Sequence, residues 1–336
     1  MTTLIIQIPC LNEAETLPLT LSELPREIEG IDRVEWLVID DGSTDDTAEV
    51  ARAHGVDHIV KHTANYGLAR AFQSGLDACL RLGADIIVNT DADNQYCAAS
   101  IPALIKPIRE GSADFVVGDR GTDNIEHFSW MKKRLQKVGS WVVRQASGTT
   151  VPDATSGFRA LSRYAALKIN ITTNFTYTLE SLIQAGNKNI AITAVPIETN
   201  RKTRESRLFS SIFSYIRRSS TTIVRIYSVY RPMRAFMVLG CAFLLGGAGV
   251  GARFLYYYMS GSGAGKIQSL LLAVILAIVG VQTILTGFLA DLIGHNRTLV
   301  EDVLFRVRRL ELDGTDDRNK AKTQDSDAAR SVRDVV

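Results

Sequence analysis

Two long apolar stretches in the last third of the chain constrain its fold most strongly. Residues 235–259 and 267–293 are each close to the roughly 20 apolar residues that a helix needs to span a bilayer. The short connection between them, residues 260–266, is rich in Gly and Ser, so the two stretches are predicted to form a transmembrane helical hairpin. The alternative is a buried helical hairpin in a soluble core, which two such runs disfavour.

Basic residues on both sides of the hairpin predict its orientation. Lys and Arg concentrate in the cytoplasmic flanks of membrane helices. The approach to the hairpin and its exit are both rich in arginine: Arg217, Arg218, Arg225, Arg231, Arg234, Arg297, Arg306, Arg308 and Arg309. No signal-peptide pattern opens the chain, which runs directly into a strand. We therefore expect a protein of the cell (plasma) membrane, with its N-terminal domain and both termini in the cytoplasm.

The segments that flank the hairpin are polar or amphipathic. Residues 206–234 are rich in Ser, Ile, Tyr and Arg, and predict amphipathic juxtamembrane helices that lie on the membrane surface, with a solvated helix as the alternative. Residues 294–312 are predicted to form a cytoplasmic C-terminal helix. Residues 313–336 are polar and mixed in charge, which predicts a disordered tail.

Residues 1–205 have the pattern of an α/β domain. Short apolar runs predict strands at residues 4–8, 36–39, 58–60, 86–89, 115–118 and 190–195, with helices at 65–82 and 100–109 among them. Pro9 is expected to end the first strand, and residues 155–159 are assigned to a loop before another helix. Alternating strands and helices favour βαβ units and a largely parallel sheet, in which ligands bind beyond the carboxyl ends of the strands.

Acidic and amide side chains follow the predicted strand at residues 86–89. If the chain stays extended, Asp91, Asp93 and Gln95 project to the same side. Three oxygen ligands of this kind suit Mg²⁺ or Mn²⁺. The alternative is an Asp-rich turn that caps the next helix. Polar clusters at residues 12–13 and 40–41 also follow strands, so one crevice is expected to collect all three.

Composition excludes two other classes of function. The chain has 38 basic and 36 acidic residues, which is too balanced for a general nucleic-acid-binding surface. Its four cysteines lie far apart without metal-finger spacing, and are expected to be reduced thiols that act as small apolar side chains.

Five motifs in order carry a resemblance to a known family. They are Ile-Pro-Cys-Leu-Asn-Glu at 8–13, Asp-Asp-Gly-Ser at 40–43, Asp-Ala-Asp-Asn-Gln at 91–95, Ser-Gly-Phe-Arg at 156–159 and Arg-Glu-Ser-Arg at 204–207. The set resembles family-two glycosyltransferases of the GT-A fold, specifically the polyprenyl-phosphate glycosyltransferases. Dolichol-phosphate mannose synthases and bacterial bactoprenol glucosyltransferases belong to that group. The motifs cover about residues 1–230, and the two apolar stretches match the bactoprenol type.

The resemblance implies a Rossmann-like mixed sheet in a catalytic domain over residues 1–205, and a nucleotide sugar (UDP- or GDP-linked) as the donor. Carboxylates can accept hydrogen bonds from the N–H and O–H groups of the base and ribose. The resemblance would place six residues around these parts of the donor: Pro9, Leu11, Asn12, Glu13, Asp40 and Asp41. For Asn12 and Asp41, helix and turn capping is the alternative. Asp91, Asp93 and Gln95 would hold the Mg²⁺ or Mn²⁺ that bridges the diphosphate.

The implied acceptor is a polyprenyl phosphate such as undecaprenyl or dolichyl phosphate. A phosphate monoester is largely anionic at neutral pH and needs no strong general base. Arginine holds such anions through its bidentate fork. The candidates for that cradle are Arg120, Arg134, Arg159, Arg204 and Arg207, with Ser206 as a hydroxyl donor. A solvated surface arginine is the alternative for each. In many relatives the last motif reads Arg-x-x-Gly-x-Ser-Lys, whereas here Arg204 replaces the glycine and Arg207 the lysine.

The predicted reaction is a single in-line displacement that inverts the anomeric carbon and depends on positioning and electrostatics. UDP-glucose is the expected donor, with GDP-mannose or a UDP-N-acetylhexosamine as alternatives. A transferase acting on polysaccharide or protein-bound glycan is a second enzymatic hypothesis, although the Gln-x-x-Arg-Trp motif of processive synthases is absent from the sequence. A catalytically inactive sugar-nucleotide-binding membrane scaffold is a third. The sequence leaves a homo-oligomer open.

Overall fold

The computed structural model of the chain describes residues 1–121, 148–149, 151–171, 177–200, 232–261 and 266–333. The chain divides into two compact units. The first comprises Met1–Ser210 together with Glu301–Val336, and the second is Ser211–Val300.

The first unit alternates strands and helices, as predicted. The strands are β1 Thr3–Cys10, β2 Arg33–Asp40, β3 His58–Lys61, β4 Ile86–Asn89, β5 Phe115–Asp119, β6 Arg159–Ser162 and β7 Ile192–Pro196. The helices of this part are α1 Leu17–Glu23, α2 Thr47–Ala53, α3 Leu68–Arg81, α4 Ile101–Arg109, α5 Arg163–Lys168 and α6 Tyr177–Asn187. Each strand and helix predicted with residue bounds in this unit is present, within a few residues of its expected ends.

The strands form one mixed sheet, which confirms the GT-A type of fold class. The order is β3-β2-β1-β4-β6-β5-β7, and only β6 runs antiparallel to its neighbours among the described residues. The prediction of a loop up to residue 159 was wrong at its end, because Arg159 begins β6. This strand is four residues long and mostly buried between β4 and β5, so it lacks the alternating pattern that identifies a half-exposed strand.

The first strand also continues past its predicted end at Pro9. Pro9 lies opposite Ile39 of β2, and β1 ends at Cys10. The backbone carbonyl of Gln7 accepts from the Thr90 amide on the β4 side, so Pro9, two residues later, faces the same side. Strand β4 has ended by that point, and the missing proline N–H therefore costs no ladder hydrogen bond.

The second unit contains α7 Pro232–Met259 and the first half of α8 Ile267–Arg333. Both helices are long and apolar enough to cross a membrane. Their apolar side chains are largely uncovered, with Val238 at 73% and Leu245 at 74% exposure, which argues against a soluble helical core. The two backbones are in close contact at a glycine pair, because a Cβ built on Gly240 would lie 2.9 Å from the carbonyl oxygen of Gly280.

Helix α8 extends beyond the predicted helix end at Leu312 and reaches Arg333. The added stretch contains no proline and several strong helix formers, among them Ala, Lys, Arg and Gln. Most of the amphipathic segment predicted at residues 206–234 lies outside the described residues.

Candidate active site

Three parallel strands end at one edge of the sheet and bring the predicted polar clusters together. Strand β1 pairs with β2 on one side and with β4 on the other. The segments that follow β1 and β2 are tied to each other by hydrogen bonds. The Asn12 amide donates to Ser43 Oγ at 3.0 Å, and the Glu13 amide donates to Thr47 Oγ1 at 3.0 Å. The loops that follow β1 and β2 therefore meet at this edge of the sheet.

Asn12 and Asp41 use their side chains to hold these loops. Asn12 Oδ1 accepts from the Thr44 amide at 2.8 Å. Asp41 accepts from the amides of Tyr66 and Gly67 at 3.0 and 2.8 Å and lies 2.7 Å from His62 Nδ1. These contacts match the capping alternative for both residues. Among the predicted donor-site residues, Pro9 is buried in β1 and Leu11 is half-buried after it.

Asp40 differs from its neighbour because one of its oxygens has no hydrogen bond. Its Oδ1 accepts from the Ser43 amide at 2.8 Å. Its Oδ2 is buried without a hydrogen-bond partner in the described part of the chain, and the nearest charge is Lys61 Nζ at 3.8 Å. An orphaned buried carboxylate oxygen is unfavourable unless a ligand supplies the donor. Asp40 is thus the acid of the Asp-Asp-Gly-Ser motif that has a carboxylate oxygen without a hydrogen bond among the described residues.

Asp91 and Asp93 follow β4 as a pair of carboxylates. Burial and the nearby Asp93 charge raise the pKa of Asp91 to about 7, against the opposing influence of Arg120 and Arg159. The side-chain amide of Gln95 donates to Asp93 Oδ2 at 2.7 Å, and its backbone amide lies 3.2 Å from Asp93 Oδ1. Gln95 therefore orients the Asp93 carboxylate through its side-chain nitrogen, Nε2.

This pair suits a divalent cation that keeps open coordination positions. The described residues contain no group of three or more His, Cys, Asp or Glu side chains arranged around one metal position. Mg²⁺ is typically bound by one or two carboxylates together with water and substrate phosphate oxygens. A bound cation would offset the repulsion between the Asp91 and Asp93 carboxylates, which contributes to the raised pKa of Asp91. Asp91 and Asp93 fit that role.

Arg159 has a different place from the one predicted. It is fully buried and donates to the carbonyls of Ser156 at 2.7 Å, Ala154 at 2.9 Å and Thr178 at 2.8 Å, and to Ser181 Oγ at 2.6 Å. Its burial lowers the pKa of the guanidinium to about 10. This corrects the prediction of Arg159 in the acceptor cradle, because its guanidinium faces the protein interior and holds the Ser-Gly-Phe-Arg turn against α6.

Gly157 in that turn lies directly beside the acidic pair. A Cβ built on Gly157 would be 2.9 Å from Asp91 Oδ2 and 2.8 Å from the Tyr177 hydroxyl. The Gly157 amide donates to the Tyr96 hydroxyl at 2.9 Å, and its carbonyl accepts from Asn89 Nδ2 at 2.8 Å. Burial and the charge of Asp91 raise the pKa of Tyr96 to about 12, so the phenol stays protonated. The glycine is therefore fixed on both sides, with Asp91 against its α-carbon.

Arg120 forms a bidentate ion pair with an acid that the sequence did not single out. Its Nε and Nη2 donate to the two carboxylate oxygens of Asp153 at 2.7 and 3.1 Å, and Nη2 also donates to Thr155 Oγ1 at 3.0 Å. The side chain is about a quarter exposed, at 24%, while Asp153 is buried. Arg120 is also close enough to Asp91 for the two charges to influence each other, as Arg159 is.

Four predicted residues lie outside the described residues: Arg134, Arg204, Ser206 and Arg207. Three residues that contact the site were not predicted from the sequence: Asp153, Tyr96 and Tyr177. Asp153 had a local signal, since it is a single acid within the otherwise uncharged stretch 145–158. Tyr96 directly follows Gln95 but carries no charge, and Tyr177 is distant in sequence, so neither had a comparable signal.

Comparison with known proteins gives a consistent result. Residues 5–169 match the profile described as Glycosyl transferase family 2. A polyprenol monophosphomannose synthase from Mycolicibacterium smegmatis is 30% identical over 223 residues, covering 62% of this chain and 82% of the relative. A UDP-N-acetylglucosamine–dolichyl-phosphate N-acetylglucosaminyltransferase from Methanococcus voltae is 30% identical over 215 residues, covering 57% and 83%.

Solved structures resemble the fold of the first unit. One is glucosyl-3-phosphoglycerate synthase from Mycobacterium tuberculosis in complex with Mn²⁺ and UDP-glucose. It superposes with a TM-score of 0.51 at 22% identity, covering 68% of this chain and 78% of that chain. At this level of identity the likeness concerns the fold alone.

Proposed function

The chain belongs to glycosyl transferase family 2 and is a glycosyltransferase, and we propose that it transfers a sugar from a nucleotide sugar to a polyprenyl phosphate at the cytoplasmic face of a membrane. The observation that carries the proposal is the Asp91–Asp93 pair at the sheet edge where β1, β2 and β4 end, in a chain with two uncovered apolar helices. The two relatives above are named for polyprenol phosphate and dolichyl phosphate chemistry, which supports the same acceptor class here.

The donor nucleotide would enter beyond the ends of β1, β2 and β4. The free Oδ2 of Asp40 would accept a hydrogen bond from the base or ribose. Asn12 and Asp41 would act indirectly, by holding the loops that shape this edge. Pro9, Leu11 and Glu13 would line the same edge as parts of the loop that follows β1.

Asp91 and Asp93, with Gln95 orienting Asp93, would hold a divalent cation, Mg²⁺ or Mn²⁺. When bound, it would supply Lewis-acid neutralisation of the diphosphate leaving group. The residues of the chain supply positioning. Gly157 leaves room for the Asp91 carboxylate. The Arg159 guanidinium holds the Ser-Gly-Phe-Arg turn, and this keeps Gly157 in place.

The lipid phosphate is proposed to attack the anomeric carbon in line with the leaving diphosphate and to invert it. It needs no general base, because the phosphate monoester is already anionic. Within the described part of the chain, Arg120 is the arginine proposed to bind the acceptor phosphate, and Asp153 fixes the direction of its guanidinium. Arg134, Arg204, Ser206 and Arg207 remain proposed members of the cradle. The predicted domain boundaries also remain proposals, with the catalytic domain at 1–205 and the juxtamembrane helices at 206–234.

The donor sugar is a separate proposal. UDP-glucose is the first candidate, because the two apolar spans match the bactoprenol glucosyltransferase type. The relatives are instead named for mannose and N-acetylglucosamine. A donor panel therefore has to contain UDP-glucose, GDP-mannose and UDP-N-acetylglucosamine.

The test is transfer of radiolabelled sugar from this panel into undecaprenyl phosphate by the purified full-length chain with Mg²⁺ or Mn²⁺. We expect label in the organic phase from one donor, lost on addition of EDTA and in Asp93→Ala. Glu110→Gln, an exposed residue directly after α4, is the matched control and should keep full activity. Metal-dependent nucleotide binding without lipid product from any donor would overturn the lipid acceptor.

A further inference from the structure

Helix α8 continues past the second apolar stretch into a segment that belongs to the first unit and packs against other helices of that unit. We call residues Glu301–Leu312 the docking segment. Its half-buried positions recur every three or four residues, which places them on one helix face: Glu301, Leu304, Phe305, Arg308 and Leu312. The positions between them are exposed, among them Val303 and Val307. One face of the docking segment is therefore packed, and the other faces solvent.

The first anchor of this face is an ion pair between Glu301 and Lys188. Lys188 Nζ lies 3.0 Å from Glu301 Oε2, and both side chains are only 15% exposed. The same ammonium donates to the backbone carbonyl of Lys168 at 2.6 Å. Lys188 directly follows α6, and Lys168 is the last residue of α5, so one cation joins three helices.

The second anchor is Arg308, which lies about two turns further along the same helix face. Its Nη2 lies 3.3 Å from Asp77 Oδ1 of α3 and 3.3 Å from Asn170 Oδ1, and its Nη1 lies 3.5 Å from the Ile169 carbonyl. Between the two anchors, the Phe305 ring packs edge-on against Tyr164 of α5 with the centroids 6.3 Å apart. Exposed single ion pairs contribute little to stability, but both ion pairs of this set are partly buried.

The groups under the docking segment lead to the acidic pair through consecutive contacts. Asn170 and Gln184 of α6 exchange two hydrogen bonds, of 3.0 and 2.6 Å. The first turn of α6 then carries Thr178 and Ser181, which accept from Arg159. It also carries Tyr177, whose hydroxyl lies against Gly157. The orientation of α6 therefore determines the position of the Ser-Gly-Phe-Arg turn, whose Gly157 contacts Asp91.

We propose that the docking segment is a positioning element of the active site, which holds α6 through the Lys188 and Arg308 anchors and is required for full turnover. The proposal rests on the proposed function for its kinetic readout. A small displacement of α6 would shift Gly157 relative to Asp91, and displacements of about 1 Å remote from the chemistry can lower turnover by about 100-fold.

The test is a charge-swap series in the full-length chain. The variants are Lys188→Glu, Glu301→Lys and the double variant, with Lys106→Glu, Glu110→Lys and their double variant as controls. The control pair is exposed at the end of α4, with Lys106 in the helix, Glu110 directly after it and the two charges 3.8 Å apart. Measurements are kcat and KM in the sugar-transfer assay, the thermal midpoint, and hydrogen exchange of the segment that contains residues 156–162.

We expect each single Lys188 or Glu301 variant to lower kcat by about tenfold with little change in the donor KM. We also expect faster exchange at residues 156–162, recovery of most of both effects in the double variant, and no effect in the controls. Unchanged kcat and exchange in the single variants would overturn the proposal. So would an activity loss explained entirely by loss of folded protein, or a double variant without recovery. A wild-type chain that transfers no sugar would overturn the proposed function instead, and the exchange series would still decide this proposal.

Discussion

The α-carbon of Gly157 lies against the carboxylate of Asp91, so that a methyl group added to the glycine would be only 2.9 Å from Asp91 Oδ2. Carbon and oxygen atoms that are not bonded do not approach so closely without a shift of one of them. Gly157 belongs to the Ser-Gly-Phe-Arg motif, and Asp91 to the Asp-Ala-Asp-Asn-Gln motif. The two motifs are therefore complementary parts of one site, although Gly157 and Asp91 lie 66 positions apart in the sequence.

Replacement of Gly157 by alanine should strongly reduce sugar transfer. The new Cβ would meet Asp91 and the Tyr177 hydroxyl, and the buried Tyr177 cannot withdraw freely, so the Asp91 carboxylate would have to shift. We expect kcat to fall by about 100-fold, since the metal-binding carboxylate would be displaced. The measurement is kcat in the transfer assay. Gly249→Ala is the matched control, because no atom lies within 4 Å of its added Cβ. A Gly157→Ala variant with wild-type kcat would show that Asp91 is free to move.

Asp40→Asn should weaken donor binding specifically. The asparagine can keep the hydrogen bond from the Ser43 amide, but it would present an N–H₂ group where the unpartnered Oδ2 now lies. A donor facing a donor is unfavourable, so we expect the Kd of the nucleoside diphosphate to rise by about tenfold or more. Calorimetric titration of the nucleotide in the presence of Mn²⁺ would measure it, with Glu49→Gln on the surface of α2 as the control. An unchanged Kd would remove Asp40 from the proposed donor site.

Arg159→Lys should destabilise the first unit although it keeps the positive charge. Lysine cannot reproduce a fork that reaches three carbonyls and one hydroxyl at once. The unmatched buried acceptors would cost about 3 kcal/mol or more. We expect a clearly lower thermal midpoint together with faster hydrogen exchange at residues 154–160. The matched control is Arg52→Lys, at an exposed ion pair with Glu49. A thermal midpoint equal to that of the wild type would restore the alternative in which Arg159 faces the acceptor.

The strand ends that build the site could be predicted from sequence because the signal is local. Each consists of a short β-branched run followed at once by polar residues, as at Asp40 and Asp91, and parallel strands align such ends at one edge. The different hydrogen bonding of two neighbouring acids could not be predicted in this way. Asp40 and Asp41 are equivalent in sequence, and only the loop that returns at Tyr66 and Gly67 satisfies one of them and leaves an oxygen of the other free.

The role of Arg159 could not be predicted for a related reason. An arginine in a motif indicates a charge, but its direction is decided by which backbone carbonyls surround it. Those carbonyls come from the preceding turn and from α6, whose first described residue, Tyr177, lies 18 positions further along the chain. Strand β6 was missed because a buried antiparallel strand of four residues has no periodicity to read.

The pair of Arg120 and Asp153 predicts a pH dependence of stability. Burial alone would raise the pKa of Asp153, but the hydrogen bonds and charge of Arg120, together with Thr155, outweigh it and hold the pKa below its ordinary value. A carboxyl whose pKa is lowered by folding stabilises the folded state at pH values above its unfolded pKa, which is about 4. That contribution is lost as the pH falls through the lower folded value, because the carboxylate must then be protonated in both states.

Asp153→Asn should therefore have a lower thermal midpoint than the wild type at pH 7, and the difference should shrink as the pH falls below about 4. The asparagine cannot accept two charge-assisted bonds from Arg120, and it has no proton to gain. Thermal unfolding of both proteins across this pH range provides the measurement. Glu110→Gln, which removes an exposed acid, should show no such convergence. A difference in midpoint that stays constant with pH would mean that packing at Asp153, rather than its charge, holds Arg120 in place.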